Sequence, residues 1–145
     1  MKRFKQLLIL TLILGALASA YVWFFVYNKP HRDMESATPE YVETALSLYA
    51  HYHGGLNSEQ KNLDGAVVEF TGIPSKTEIG DSLSVVVFVF DEGLFGDEGI
   101  RCTLLPSYNE LLTTINLNEP ITIKGFCSGY NDTDVILEQC SIINQ

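Results

Sequence analysis

The side chains most able to do chemistry are three cysteines, three histidines and the acids of one short loop. Cys127 and Cys140 fall in two alternating stretches, ITIKGFCSGY and DVILEQCSII, joined by the polar run NDT. A tight turn near Thr133 and Asp134 would set the two cysteines opposite each other. Opposed Cα atoms in an antiparallel ladder lie about 4.5–5.5 Å apart, within disulfide range. A looser turn shifts the register and leaves them as small buried hydrophobes. Sequence leaves both readings open. Cys102 is the odd thiol and reads as buried. No Cys-x-x-Cys spacing is present, so zinc is not expected.

His51 and His53 flank Tyr52; at i, i+2 they point to different faces of a helix and read as surface or capping residues. The loop DEGLFGDEG brings Asp91, Glu92, Asp97 and Glu98 within eight residues. Its spacing is not that of an EF-hand, and a solvated hairpin loop explains it equally well. Leu94 and Phe95 at its centre are either folded back over the domain or exposed as a contact point. There is no Gly-x-Ser-x-Gly, no phosphate loop and no legible cysteine–histidine pair. The expectation is a protein that is not an enzyme and needs no cofactor or metal. Asn131 to Thr133 forms a glycosylation sequon, meaningful only in a cell that uses it.

The elements that must position these residues start with a charge-free run over residues 7–27, LLILTLILGALASAYVWFFVY. As a helix it would be about 31 Å long, against a hydrocarbon core of roughly 30 Å. It reads as a transmembrane anchor, with Tyr21, Trp23 and Tyr27 near one interface. Ala18-Ser19-Ala20 also has the small-x-small pattern of a signal-peptide cleavage site. Lys2, Arg3 and Lys5 before the run, against Lys29 and Arg32 after it, favour a cytoplasmic N-terminus and an extracytoplasmic C-terminal domain.

Residues 1–6 form a basic flank, 7–27 the anchor, 28–38 a linker and 39–61 a helical segment. The domain proper is 62–145. In the helical segment Thr38 reads as the N-cap and Pro39 as the first helical residue, with Val42, Ala45, Leu46, Tyr49 and Tyr52 at helical spacing. Gly54 and Gly55 end it, and a further turn could begin at Ser58. From Ala66 the period becomes two. AVVEFTG opens a first strand that runs on past Pro74 to Ile79, SLSVVVFVF is the second and IRCTLL the third. PSYNELLTTIN reads as a short helix with Ser107 and Glu110 as its capping box. The cysteine hairpin supplies strands four and five. Three strands, a helix and a hairpin fit a mainly β fold, a five-stranded OB-type Greek-key barrel.

Ile121, Ile123 and Cys127 share one face of strand four, and Val68 and Phe70 one side of strand one. The apolar run SVVVFVF is sticky on both faces, so the helix over 40–53 is expected to cover one of them. Otherwise Phe88 and Phe90, assisted by Arg101 and Lys76, would form the ligand face.

The chain resembles the tRNA_anti-like OB-fold family. YNKPHRDM after the anchor, LDGAVVEFTG, GIRCTL and ITIKGFCSGY with DVILEQCSI carry the resemblance over nearly the whole chain. It implies a bacterial membrane-anchored or exported protein, no known catalytic residues, and a possible nucleic-acid role. Charge argues against that role. Residues 28–145 hold six Lys and Arg against all 18 Asp and Glu, a balance of −12. Phosphate binding needs clustered bases, and here they are scattered. The expected function is a membrane-anchored binding module of the cell envelope. Phe88, Phe90, Arg101, Leu94 and Phe95 are its candidate contacts, and a protein, peptide or glycan its partner. Single-stranded nucleic acid or tRNA is the alternative.

Overall fold

The computed structural model describes residues 2–23, 34–53, 63–80 and 83–144; in the first segment the described side chains are those of Gln6 and residues 11–23. The chain divides into two units, residues 1–32 and 33–145. The described residues of the first form the helix α1 (Lys2–Val22). Among the described residues no helix is long and apolar enough to cross a membrane. The side chains of residues 7–10 lie outside that set, as do Tyr27, the linker over 28–33, the Gly54–Gly55 stop and the turn at Ser58. The case for an anchor therefore stands on sequence.

The second unit is mainly β. Its elements are β1 (Tyr41–Thr44), α2 (Ala45–His53), β2 (Val67–Gly72), β3 (Lys76–Ile79), β4 (Ser84–Gly93), β5 (Gly96–Leu104), β6 (Ile121–Tyr130) and β7 (Asp134–Asn144). They form one seven-stranded sheet in the order β1-β2-β6-β7-β5-β4-β3. Only Ile73, Pro74 and Ser75 separate β2 from β3, yet these strands stand on opposite sides of the order. Three residues reach about 10 Å. The sheet must therefore curl enough to bring β2 and β3 near each other. Phe70 of β2 packs edge-on against Phe88 of β4, ring centroids 5.1 Å apart. The Ser75 N–H donates to the Val87 carbonyl at 2.8 Å, carrying the chain across.

The rolled sheet is OB-like, with β5 and β7 paired in parallel and the other strands of the roll antiparallel. Among the described residues seven strands replace the five expected, for two reasons. Proline cannot donate to a ladder. The single first strand therefore breaks at residues 73–75 into β2 and β3. The second reason is β1. The Thr-Pro-Glu signature predicts a helix over residues 41–44, but they pair in parallel with β2, from Tyr41 opposite Val68 to Thr44 opposite Thr71. The open edge of β2 outweighs the local helix signal. Val42 is consequently 68% exposed instead of lying on a buried helical face. The helix begins only at Ala45, with Thr44 Oγ1 accepting the Ser47 N–H at 3.2 Å as its cap.

Val68, Phe70, Ile121, Ile123 and Cys127 all point inward, joined by Leu48, Leu63, Ile100 and Leu137. Each such side chain contributes about 1.5–3 kcal/mol on burial. The expected short helix is two 3-10 turns, Pro106–Tyr108 and Glu110–Thr114. Its capping box does not form: the Ser107 hydroxyl donates to Glu35 Oε1 at 3.2 Å instead.

The opposition of Cys127 and Cys140 is also corrected. Bulges in the β6–β7 ladder set Cys127 opposite Leu137, while Cys140 faces Leu104 of β5. All three cysteines are buried free thiols. Burial pushes the Cys127 thiol up, against the hydrogen bond it shares with Tyr52.

Candidate functional site

The loop expected over 91–99 is strand almost to its tip. β4 runs to Gly93 and β5 starts at Gly96, closed by the Gly93–Gly96 pair, so only Leu94 and Phe95 form the turn. Two glycines suit this tight turn, Gly96 at φ +122°. Leu94 is 98% exposed and Phe95 92%. They do not fold back over the domain.

Beneath this tip lies a groove of about 560 Å³ lined by His53, Glu92, Gly93, Leu94, Phe95, Glu98, Asp132 and Thr133. Three elements meet there: the β4–β5 turn, the end of α2 and the β6–β7 turn. They meet because β5 and β7 are parallel neighbours, with Gly99 opposite Asp134. The β6–β7 turn is held by Asn131, whose Oδ1 accepts from the Thr133 N–H at 3.2 Å, the Thr133 hydroxyl at 2.9 Å and the Asp134 N–H at 2.7 Å. Asp132 at φ +73° is thereby turned outward into the groove rim. Asp134 anchors the turn to β5, accepting from the Gly99 N–H at 3.1 Å and from Arg101 Nε at 3.0 Å.

The α2 side is aromatic. Phe90 stacks on Tyr49 with centroids 5.1 Å apart, and Tyr49 stacks on His53 at 5.0 Å. Tyr130 stacks on Tyr52 at 5.8 Å, and its hydroxyl lies 3.3 Å from His53 Nδ1. Glu98 sits where these rings converge: the Tyr49 hydroxyl donates to its Oε2 at 3.5 Å, and His53 Nε2 is 3.8 Å from the same oxygen. Burial, then the Glu98 charge, pushes the Tyr49 phenol up to about 12. Tyr130 is raised by the same two causes in the same order. The Tyr52 hydroxyl donates to Asp64 Oδ1 at 2.7 Å and contacts Cys127 Sγ at 3.2 Å. Burial and these two partners raise the Tyr52 phenol strongly.

Of the residues singled out from sequence, the structure brings Leu94 and Phe95 to this groove and sets Phe90 behind it, 36% exposed. Phe88 is only 1% exposed and belongs to the core. The run SVVVFVF is apolar at nearly every position, so alternation alone could not assign the face of this ring. Arg101 is committed to Asp134 and, through Nη1, to Glu78 at 3.1 Å. Lys76 donates to Asp97 at 2.8 Å, which raises the lysine and lowers the carboxyl. Tyr49, Tyr130, Glu98 and Asp132 were not singled out as contacts. Tyr49 and His53 stand at i, i+4 and so share a helix face, a legible signal. Nothing local connects either with residue 132.

The model of the tRNA_anti-like family matches residues 1–142. The chain belongs to the tRNA_anti-like family. No curated protein matches the chain. Among solved structures, this tRNA_anti-like chain is similar to OBody AM1L10 bound to hen egg-white lysozyme, at TM-score 0.40 and 15% identity over 58% of this chain and 85% of that one. It is also similar to OBody AM3L09 bound to hen egg-white lysozyme, at TM-score 0.39 and 14% identity over 58% of this chain and 87% of that one.

Proposed function

We propose that this tRNA_anti-like protein is a membrane-anchored, non-enzymatic binding module of the cell envelope that contacts a partner through the Leu94–Phe95 tip. The observation that carries it is the near-complete exposure of two large apolar residues, 98% and 92%, at the end of a braced hairpin. Such residues lose favourable burial unless something covers them. Support for the anchor comes from the sequence, in the charge-free run over 7–27. Support for an external domain comes from the bases that precede the run.

Two measurements test this reading. Alkaline phosphatase fused after Gln145 should be active in intact cells; an inactive but expressed fusion removes the envelope location. A photo-crosslinking amino acid at Phe95 of the full chain, expressed in its own cells, should capture a protein or glycan partner. The same group at Glu119, beyond the other end of β6, should not. Equal capture at both positions, or none at Phe95, ends the proposal. A nuclease-sensitive adduct would transfer it to nucleic acid.

A further inference from the structure

The groove also carries information about what it takes, and this step rests on the binding reading above. Among the described residues its charged lining is acidic: Glu92, Glu98 and Asp132 stand around it, and no described lysine or arginine lines it. The nearby bases are occupied elsewhere, Lys76 by Asp97 and Arg101 by Asp134 and Glu78. Phosphate-bearing ligands and anionic lipid surfaces would meet repulsion here. Of the stacked run Phe90–Tyr49–His53 only His53 lines the groove, its ring backed by Tyr49 and its Nε2 3.8 Å from the Glu98 carboxylate. A cation set among these carboxylates gains from their charge. Leu94 and Phe95 ask for apolar contact at the same mouth.

We infer that the groove receives a basic protein segment, with a lysine or arginine placed between Glu98, Glu92 and Asp132 and an apolar neighbour set against Leu94 and Phe95. A metal ion satisfies only half of this description, since it leaves the apolar tip uncovered. Among the described residues, moreover, no group of His, Cys, Asp or Glu is placed to hold one. A polyamine would meet the acids but not use the tip. A segment carrying both cation and side-chain hydrocarbon uses every feature of the site. Specificity of this kind comes from complementary charge, and affinity from the apolar anchor.

The test is calorimetric titration of the full chain in zwitterionic nanodiscs with a short amidated lysine–leucine peptide. Its glutamate–leucine counterpart, spermine, oligo-dC and phosphatidylglycerol vesicles are run in parallel. Saturable binding is expected for the lysine–leucine peptide alone, weakening as salt rises. Two double variants, Glu92→Gln with Asp132→Asn and Leu94→Ser with Phe95→Ser, should each weaken it roughly tenfold or more, as expected for loss of an anchoring contact. All four positions are exposed, so circular dichroism and melting should stay unchanged in both. Equal binding of the glutamate peptide, binding of spermine, oligo-dC or vesicles in its place, or full affinity in either variant overturns the inference. No binding of the lysine peptide by the wild type also overturns it. If crosslinking at Phe95 still captures a partner, only the cationic assignment fails and the binding module stands.

Discussion

The ammonium of Lys124, buried within β6, donates to the main-chain carbonyl of Ala37 at 2.9 Å. It makes a second bond, also 2.9 Å, to the carbonyl of Glu35. A lysine in the middle of a strand thus straps residues 34–38 onto the rolled sheet, where Met34 is buried. Replacing it by methionine keeps the stem and removes both charged hydrogen bonds. Lys124→Met should cost about 1–3 kcal/mol in urea unfolding and expose residues 34–38 to hydrogen exchange. An unchanged exchange pattern there would show that the strap holds without the amine.

Stability should fall on the alkaline side. The Tyr49 phenol is raised from 10.0 to about 12, so the unfolded chain loses this proton first. Between those values the unfolded state binds fewer protons than the native one, and stability declines as pH rises. The contribution is fully present below pH 10.0 and gone above the folded value. It amounts to up to about 3 kcal/mol. Tyr49→Phe should flatten this decline, read by chemical denaturation at intervals from pH 9 to about 12. A slope identical to that of wild type would show that Tyr49 is not its source.

Gly125 is required by a neighbour and not by a turn. A Cβ there would collide with Cys140 Sγ across the bulged β6–β7 ladder. Gly125→Ala should therefore destabilise by about 1–3 kcal/mol, the usual range for overpacking. In a Cys140→Ala background the same change should cost much less, since the obstructing sulfur is gone. Additive costs in this double-mutant cycle would place the penalty elsewhere.

Arg101 should matter for stability and not for binding. Its partner Asp134 is buried and also holds the Gly99 N–H. Arg101→Met leaves that carboxylate without its counter-charge, at a cost of about 1–3 kcal/mol for a pair still partly open to water. Adding Asp134→Asn should recover part of the loss. Crosslinking at Phe95 should persist in the single variant at temperatures where it stays folded. Loss of that capture with the fold intact would return Arg101 to the ligand face.

Sequence by itself determined most of the strands, because alternation and short apolar runs between turn residues are local signals. AVVEFTG, SVVVFVF, GIRCTL and the cysteine hairpin all became strands, and the inward residues Val68, Phe70, Ile123 and Cys127 were legible from period two. Sequence also exposed the oddity of Leu94 and Phe95 between acids. What it could not supply was anything set by a partner distant in the chain. Residues 41–44 became a strand because an unpaired edge of β2 was available, a fact absent from YVET itself. Phe88 went to the core, and Cys127 met Leu137, because rolling and bulges set face and register. The groove is tertiary throughout: His53, Glu98 and Asp132 stand far apart along the chain and converge only where β5 runs beside β7. Local periodicity reports which way a side chain faces; only the curling of the sheet decides whom it meets.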